Sequence, residues 1–200
     1  EGFTNYSETI YTEWLFGKAA GNEYNYGIRS RIQNKTTITG AYNVNNEGSG
    51  DMYYKAGNML HLIRHSINDD EKFREILRGL NANFYHQTVT SKQVETYISK
   101  QSKINFSKVF DQYLRTTQIP VLEYYYSADS SRLYFRWNNC VKGFNLRVAM
   151  ESNKEKLIIY PSQKWKSMKL VDADKYFFES DYILKNYYVA MKNTGGSNTQ

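Results

Sequence analysis

The sequence contains very few of the residues that build disulfides, metal centres and rigid turns. Its 200 residues include one cysteine, three histidines and two prolines. The single cysteine, Cys140, excludes an internal disulfide and a thiolate-rich zinc site, and we interpret it as a buried structural residue. Long hydrophobic runs are missing as well. The longest, such as residues 157–160, are far shorter than the ~20 apolar residues of a membrane-spanning helix, so we expect no transmembrane segment.

What the sequence does have is enough apolar material for a packed core, with 40% hydrophobic and 16% aromatic residues. Its net charge is +6, and the whole excess lies in residues 101–200, which contain 15 Lys and Arg but 9 Asp and Glu. These lysines are spread along alternating, strand-like sequence, whereas a nucleic-acid-binding surface clusters them with aromatic residues. We therefore expect a soluble, globular chain that does not bind nucleic acid.

The hydrophobic pattern changes from helical to strand-like near residue 117. Before this point, apolar spacing and capping patterns predict helices, and the Thr-, Asn- and Gly-rich residues 35–50 predict a long loop. After Pro120, short aromatic and β-branched runs between polar turns predict an all-β unit. The predicted helices cover residues 4–17, 22–32, 52–67, 68–80, 90–98 and 106–114, and the predicted strands cover residues 121–127, 132–137, 144–150, 156–160, 165–170 and 187–191.

Two short segments carry the strongest chemical signal. Residues 1–8 read EGFTNYSE, and residues 53–56 read YYKA. In order and spacing they resemble two motifs of the aminopeptidase N family of gluzincins, E-G-F/H-x-x-Y-x-E and Y-x-K-G/A. The pair Ala56-Gly57 departs slightly from the family, in which Gly-Ala is commoner, but both residues are small.

The resemblance implies roles for three residues. Glu1 corresponds to the third zinc ligand, which joins two histidines and leaves one coordination position open. Glu8 lies two helical turns further on the same face and corresponds to a second carboxylate that orients a ligand histidine or another nearby group. Tyr53 corresponds to a catalytic tyrosine whose hydroxyl donates a hydrogen bond to the developing oxyanion. Lys55 is expected to support the loop rather than touch substrate.

The resemblance also implies an α+β fold. Residues 1–116 correspond to the helical C-terminal part of a thermolysin-like catalytic domain. Residues 117–192 correspond to a small antiparallel β-sandwich that follows it. We expect residues 193–200 to form a disordered tail.

The other half of such an active site is missing from this sequence. The family's HExxH helix, with two histidine ligands and the general base, is expected before Glu1, as is its G-x-M-E-N exopeptidase motif. His61 and His65 have the i, i+4 spacing of zinc ligands, but Leu62 stands where a glutamate is needed, so we do not expect them to bind metal.

The sequence therefore predicts a piece of a zinc-dependent aminopeptidase, which hydrolyses peptide bonds at substrate N-termini. Its parent would bind Zn²⁺ and a peptide substrate. The piece alone is predicted to be inactive and to hold neither zinc nor another cofactor. Its partner would be the missing N-terminal part of the same protein.

Two alternatives remain open. A non-catalytic binding module, made of a helical adaptor and an aromatic β-sandwich, would bind protein or carbohydrate, and the run Tyr124-Tyr125-Tyr126 favours it. A family member whose zinc site has decayed is the second alternative. The coding sequence upstream of Glu1 separates it from an active peptidase, because only the latter keeps an HExxH motif.

Overall fold

The computed structural model describes residues 1–152, 155–170 and 180–195. This part of the chain is α+β, as predicted, with seven α-helices and six β-strands. The helices are α1 (Gly2–Phe16), α2 (Lys18–Gly27), α3 (Asp51–Ile67), α4 (Asp70–Asn83), α5 (Ser91–Ser102), α6 (Ser107–Arg115) and α7 (Ser180–Asn186), and a short 3-10 helix spans Ile28–Arg31. The strands are β1 (Val121–Tyr126), β2 (Arg132–Asn138), β3 (Val148–Ser152), β4 (Glu155–Ile159), β5 (Lys166–Lys169) and β6 (Ala190–Asn193).

Capping side chains set several helix boundaries. The Thr90 hydroxyl accepts a hydrogen bond from the Gln93 backbone N–H, and the Gln93 side chain accepts one from the Thr90 N–H, which confirms the predicted capping box of α5. Helix α4 is capped by the Asp69 carboxylate, which accepts a bond from Lys72 N at 2.9 Å. Asn68 instead ends α3 in the left-handed conformation, with φ of 57°.

The strands form a four-stranded sheet in the order β5–β2–β1–β6 and a separate β3–β4 pair. Neighbours are antiparallel except β1 and β6, which run parallel with Val121 opposite Ala190. The prediction of an antiparallel unit is therefore wrong for this pair. A parallel neighbour needs a crossover connection, and the chain reaches β6 through helix α7.

Helix α7 is a feature that the sequence pattern does not predict. The predicted strand over residues 187–191 begins only at Ala190, and the one over residues 144–150 begins only at Val148. Two carbonyls near the end of α7, those of Leu184 and Lys185, accept hydrogen bonds from the Arg29 guanidinium. A partner distant in sequence thus satisfies backbone groups that a short helix leaves open, which stabilises the helix.

One hydrophobic core joins the helical and strand-rich parts. It contains Leu62 of α3, Val109 of α6, and Leu122 and Trp137 of the sheet. Cys140 packs against it half-buried, and burial raises the pKa of its thiol to about 11. The packing of the core is therefore continuous across residue 117, where the secondary structure changes from helices to strands.

The C-terminal strand reaches into the segment that was expected to be a tail. Strand β6 ends at Asn193, and the Thr194 N–H donates a hydrogen bond to the Tyr124 carbonyl at 2.9 Å. Residues 196–200 of the predicted tail lie outside the described residues. Within the described ranges, none of the helices has the length and apolar character needed to cross a membrane.

Candidate active site

The two sequence motifs lie on helices whose backbones are in direct contact. A Cβ atom at Gly2 would lie 2.5 Å from the Ala56 Cβ and 3.3 Å from the Met52 carbonyl oxygen, so this close approach requires glycine. Further along, a Cβ atom at Gly57 would lie 2.6 Å from Asn5 Oδ1. Because the contacts follow the same order along both helices, α1 and α3 run parallel. Both motifs therefore begin at the same end of the pair.

Glu1 is the N-cap residue of α1 at this end. Its backbone carbonyl accepts the first helical hydrogen bond, from Asn5 N at 2.9 Å. Its side chain is exposed and makes no hydrogen bond or ion pair with any other described residue. Both carboxylate oxygens are thus open to a ligand from outside the described residues.

Tyr53 lies in the first turn of α3 and is 39% exposed. Its hydroxyl has no hydrogen-bond partner within the described part of the chain. Its neighbour Tyr54 is held firmly, because its hydroxyl accepts a hydrogen bond from Arg31 Nη1 at 3.0 Å and the guanidinium lies 5.3 Å from its ring centre. The Tyr54 hydroxyl keeps its own proton but is held in place by Arg31, whereas the Tyr53 hydroxyl is free both to donate and to accept a hydrogen bond.

Glu8 is held by two partners. Its Oε2 atom accepts hydrogen bonds from the Tyr24 hydroxyl at 2.7 Å and from Asn5 Nδ2 at 3.2 Å. The bond to Glu8 is the main cause that raises the pKa of Tyr24. Sequence reasoning missed Tyr24 and Arg31, because it is the turn back from α1 into α2 and the following 3-10 helix that brings them to the two motifs.

The start of α3 is anchored on both of its sides. The Asp51 carboxylate accepts hydrogen bonds from the backbone N–H groups of Gln33 at 2.8 Å and Asn34 at 2.7 Å. The Lys55 ammonium is buried and donates to the Thr116 carbonyl at 2.7 Å. These bonds fix the long loop before α3 and the junction after α6 to the turn that carries the second motif. Lys55 points into the protein, away from the exposed end.

The histidine pair of α3 is buried and packed rather than open to a metal. The Nδ1 atom of His61 is hydrogen-bonded to the Tyr6 hydroxyl at 3.0 Å, and the rings of His61 and His65 are 4.4 Å apart. Burial is the main cause that lowers the pKa of both imidazoles, to about 3 for His65. Among the described residues, no group of three or more His, Cys, Asp and Glu side chains could hold a metal ion.

Because His61 and His65 have lowered pKa values in the folded protein, the protein should be less stable to unfolding at acidic pH. Their pKa is near 6.5 in the unfolded chain and lower when folded, so below pH 6.5 the unfolded state binds more protons. The free energy of unfolding should fall as the pH drops from about 6.5 toward 3, by up to about 1.4 kcal/mol per pH unit for each histidine. Urea unfolding at several pH values measures this slope. His65→Gln should reduce it, and His86→Gln, at an exposed position, is the matched control.

An apolar surface runs along the outer face of α1. Its most exposed member is Trp14, at 76%. Two adjoining pockets of about 560 and 690 Å³ lie between this surface and α4, with Leu77 in both linings. Contiguous exposed apolar groups of this kind mark a contact surface for another chain segment or protein. The surface, called here the α1 surface, consists of Phe3, Ile10, Tyr11, Trp14 and Leu15.

The tyrosine run that favours a binding module is engaged within the sheet. Tyr125 stacks on Tyr134 of the neighbouring strand, with ring centres 4.6 Å apart, and meets Trp165 edge-on at 5.0 Å. Tyr124 and Tyr126 are half-buried and contact each other. The Tyr125–Tyr134 stack is a cross-strand pair that stabilises the sheet, and Tyr124 and Tyr126 contact each other along β1, so the tyrosine run is engaged within the strand-rich part.

Among solved structures, the chain is similar in fold to part of a much larger peptidase. The crystal structure of aminopeptidase A from Legionella pneumophila, in complex with aspartic acid, matches with a TM-score of 0.65 at 15% sequence identity. The match covers 96% of this chain and 23% of that chain. This chain therefore spans about a quarter of the length of that aminopeptidase. No protein-family model and no curated protein sequence matches it.

Proposed function

We propose that this chain is part of a zinc-dependent aminopeptidase of the aminopeptidase N family of gluzincins. In this proposal the helices correspond to the C-terminal part of a thermolysin-like catalytic domain, and the strands to the β-sandwich after it. One observation carries the proposal. Two polar side chains without partners in the described part of the chain, the Glu1 carboxylate and the Tyr53 hydroxyl, lie at the same end of two parallel helices in contact.

The side chains at this end of the helix pair could supply one of the several ligands of a zinc ion. The Glu1 carboxylate would supply a single oxygen ligand, and Glu8, held by Tyr24, would orient an incoming histidine. Two histidine ligands would come from outside the described residues, since His61 and His65 are buried in the core. When bound, zinc supplies Lewis acidity to the peptide carbonyl and lowers the pKa of a water molecule.

The Tyr53 hydroxyl would act on the substrate directly. As the scissile carbonyl becomes tetrahedral, its oxygen gains negative charge, and a phenol that is already positioned can donate a hydrogen bond to it. Such a donor accelerates the reaction because it binds the transition state more tightly than the ground state. The peptide would enter at the exposed end of the helix pair, with its N-terminal residue nearest the metal.

The exposed α1 surface is consistent with a further segment of the full-length protein that packs against it. It lies on the helix that begins with Glu1 and continues for four turns beyond it. A helix that brings two histidines to the same metal as Glu1 must lie within a few ångströms of the N-terminus of α1. The apolar side of that helix could then pack against the α1 surface. The aminopeptidase that matches in fold is long enough to contain such a segment, because this chain covers 23% of it.

Metal content and turnover test the proposal. The 200-residue chain alone should hold no stoichiometric zinc and should not hydrolyse an aminoacyl amide. The full-length protein should hold one zinc per chain and hydrolyse the amide, and Glu1→Gln should remove most of the zinc and the activity, because an amide is a poor zinc ligand. Glu47→Gln, an exposed carboxylate in the long loop, is the control. Tight stoichiometric zinc in Glu1→Gln, or zinc in the chain alone, would contradict the assignment of Glu1.

A further inference from the structure

Lys55 is a fully buried cation with an unusual position. It lies two residues after Tyr53, its ammonium is shielded from solvent, and it donates a hydrogen bond to the Thr116 carbonyl at 2.7 Å. The opposite charge that acts on it is that of Asp51, one helical turn earlier. Burial lowers the pKa of Lys55, against the pull of Asp51. An ammonium in this position cannot reach a peptide at the exposed end of the helices.

The acceptor of Lys55 is itself fixed. The Thr116 hydroxyl donates to the Gln112 carbonyl at 2.7 Å, and the buried Gln112 side chain donates back to that hydroxyl at 3.1 Å. The same Gln112 amide also donates to the Gln118 carbonyl at 2.9 Å and accepts from the Val141 N–H at 2.7 Å. Lys55 therefore ties the first turns of α3 to a rigid junction between α6 and the strand-rich part.

Tyr53 has no such anchor of its own. Within the described residues its hydroxyl makes no hydrogen bond, so the position of the phenol depends on the backbone of the first turn of α3. Asp51 fixes one side of that turn to the preceding loop, and Lys55 fixes the other side to Thr116. A small shift of this turn would move the phenol by a similar distance.

Packing alone does not require a lysine at this position. Burying an ammonium costs free energy, and an apolar side chain of similar length is often equally stable in such a place. The hydrogen bond from Lys55 to the Thr116 carbonyl, in contrast, fixes the position of the first turn of α3 relative to the junction after α6. We propose that Lys55 is a positioning residue for Tyr53, which couples the junction at Thr116 and the strand-rich part to transition-state stabilisation. This inference rests on the proposed function.

The test compares Lys55→Met in the full-length protein with the control Lys92→Met, an exposed lysine of α5. Lys55→Met should lower kcat about 10- to 100-fold, since an error of ~1 Å in a catalytic group can cost 100-fold, with KM and zinc content nearly unchanged. In a Tyr53→Phe background the same change should have less than a twofold effect, because the hydroxyl that Lys55 positions is already gone. A wild-type kcat in Lys55→Met, or an equal loss in both backgrounds, would overturn the inference.

A second measurement separates this inference from the proposed function. Hydrogen exchange on the 200-residue chain should show faster exchange at Gln33, Asn34 and Tyr53 in Lys55→Met, because the turn that protects these amides has lost one anchor. Unchanged exchange would refute the anchor. A full-length wild-type protein without zinc-dependent turnover would refute the proposed function, whereas turnover that Lys55→Met leaves intact would refute only the role of Lys55.

Discussion

Tyr53→Phe in the full-length protein should reduce kcat by about 100- to 1,000-fold while zinc content stays the same. The change removes one hydroxyl and leaves the ring, so the loss corresponds to one missing oxyanion donor, about 2.7–4 kcal/mol of transition-state stabilisation. KM should change little, because the bond forms fully only as charge develops on the carbonyl oxygen. Steady-state kinetics on an aminoacyl amide, with metal analysis of the same samples, measures both quantities.

Tyr54→Phe is the matched control for this experiment. It removes the neighbouring hydroxyl, which accepts a hydrogen bond from Arg31, and it leaves Tyr53 in place. We expect at most a few-fold change in kcat. If the two variants lose the same activity, or if Tyr53→Phe retains near-normal turnover, then Tyr53 does not stabilise the transition state.

Arg29→Met should lower the free energy of unfolding of this chain by about 3 kcal/mol, because it leaves several acceptors without their charged donor. The Arg29 guanidinium donates to Asn58 Oδ1 at 2.5 Å, to Lys185 O at 3.1 Å and to Leu184 O. It also lies 5.1 Å from the ring centre of Tyr26. Burial lowers the pKa of Arg29 to about 10, so the cation is held at a desolvation cost that these bonds offset.

Urea unfolding, followed by circular dichroism, gives the stability change for Arg29→Met. The control is Arg74→Met, since Arg74 is exposed on α4 and pairs only with Glu71 one turn away in the described structure. Such surface pairs contribute little, so this variant should unfold at the wild-type midpoint. Equal midpoints for the two variants would show that the contacts between Arg29 and α7 do not stabilise the fold.

Helices α3, α4 and α5 were predictable from sequence because each carries its own signal, whereas the helix predicted over residues 22–32 lies at Lys18–Gly27 and is followed by the 3-10 helix Ile28–Arg31. The apolar spacing of α3, the acidic first turn of α4 and the Thr90–Gln93 capping box of α5 are local patterns, and the structure reproduces them. Helix α7 has no such pattern. It is seven residues long, and what stabilises it is the distant Arg29 and burial of Ile183 and Tyr187 in the common core.

The same distinction applies to the candidate site. Glu1, Glu8 and Tyr53 are visible in the sequence because they belong to short motifs at fixed spacing. The residues that hold the site together are not visible, because each is brought in by tertiary structure. Tyr24 reaches Glu8 only through the turn between α1 and α2, and the Thr116 carbonyl that receives Lys55 is a backbone group, which no side-chain pattern can mark.

The contact between Gly2 and Ala56 restricts which substitutions the protein can accept at these two positions. Residue 2 is already glycine, so no smaller residue at this position could compensate for a larger side chain at position 56. Ala56 can be replaced by glycine without a clash, but any larger side chain there would push the two helices apart. The spacing between the helix that begins with Glu1 and the helix that carries Tyr53 therefore tolerates substitution at position 56 in one direction only, toward smaller residues.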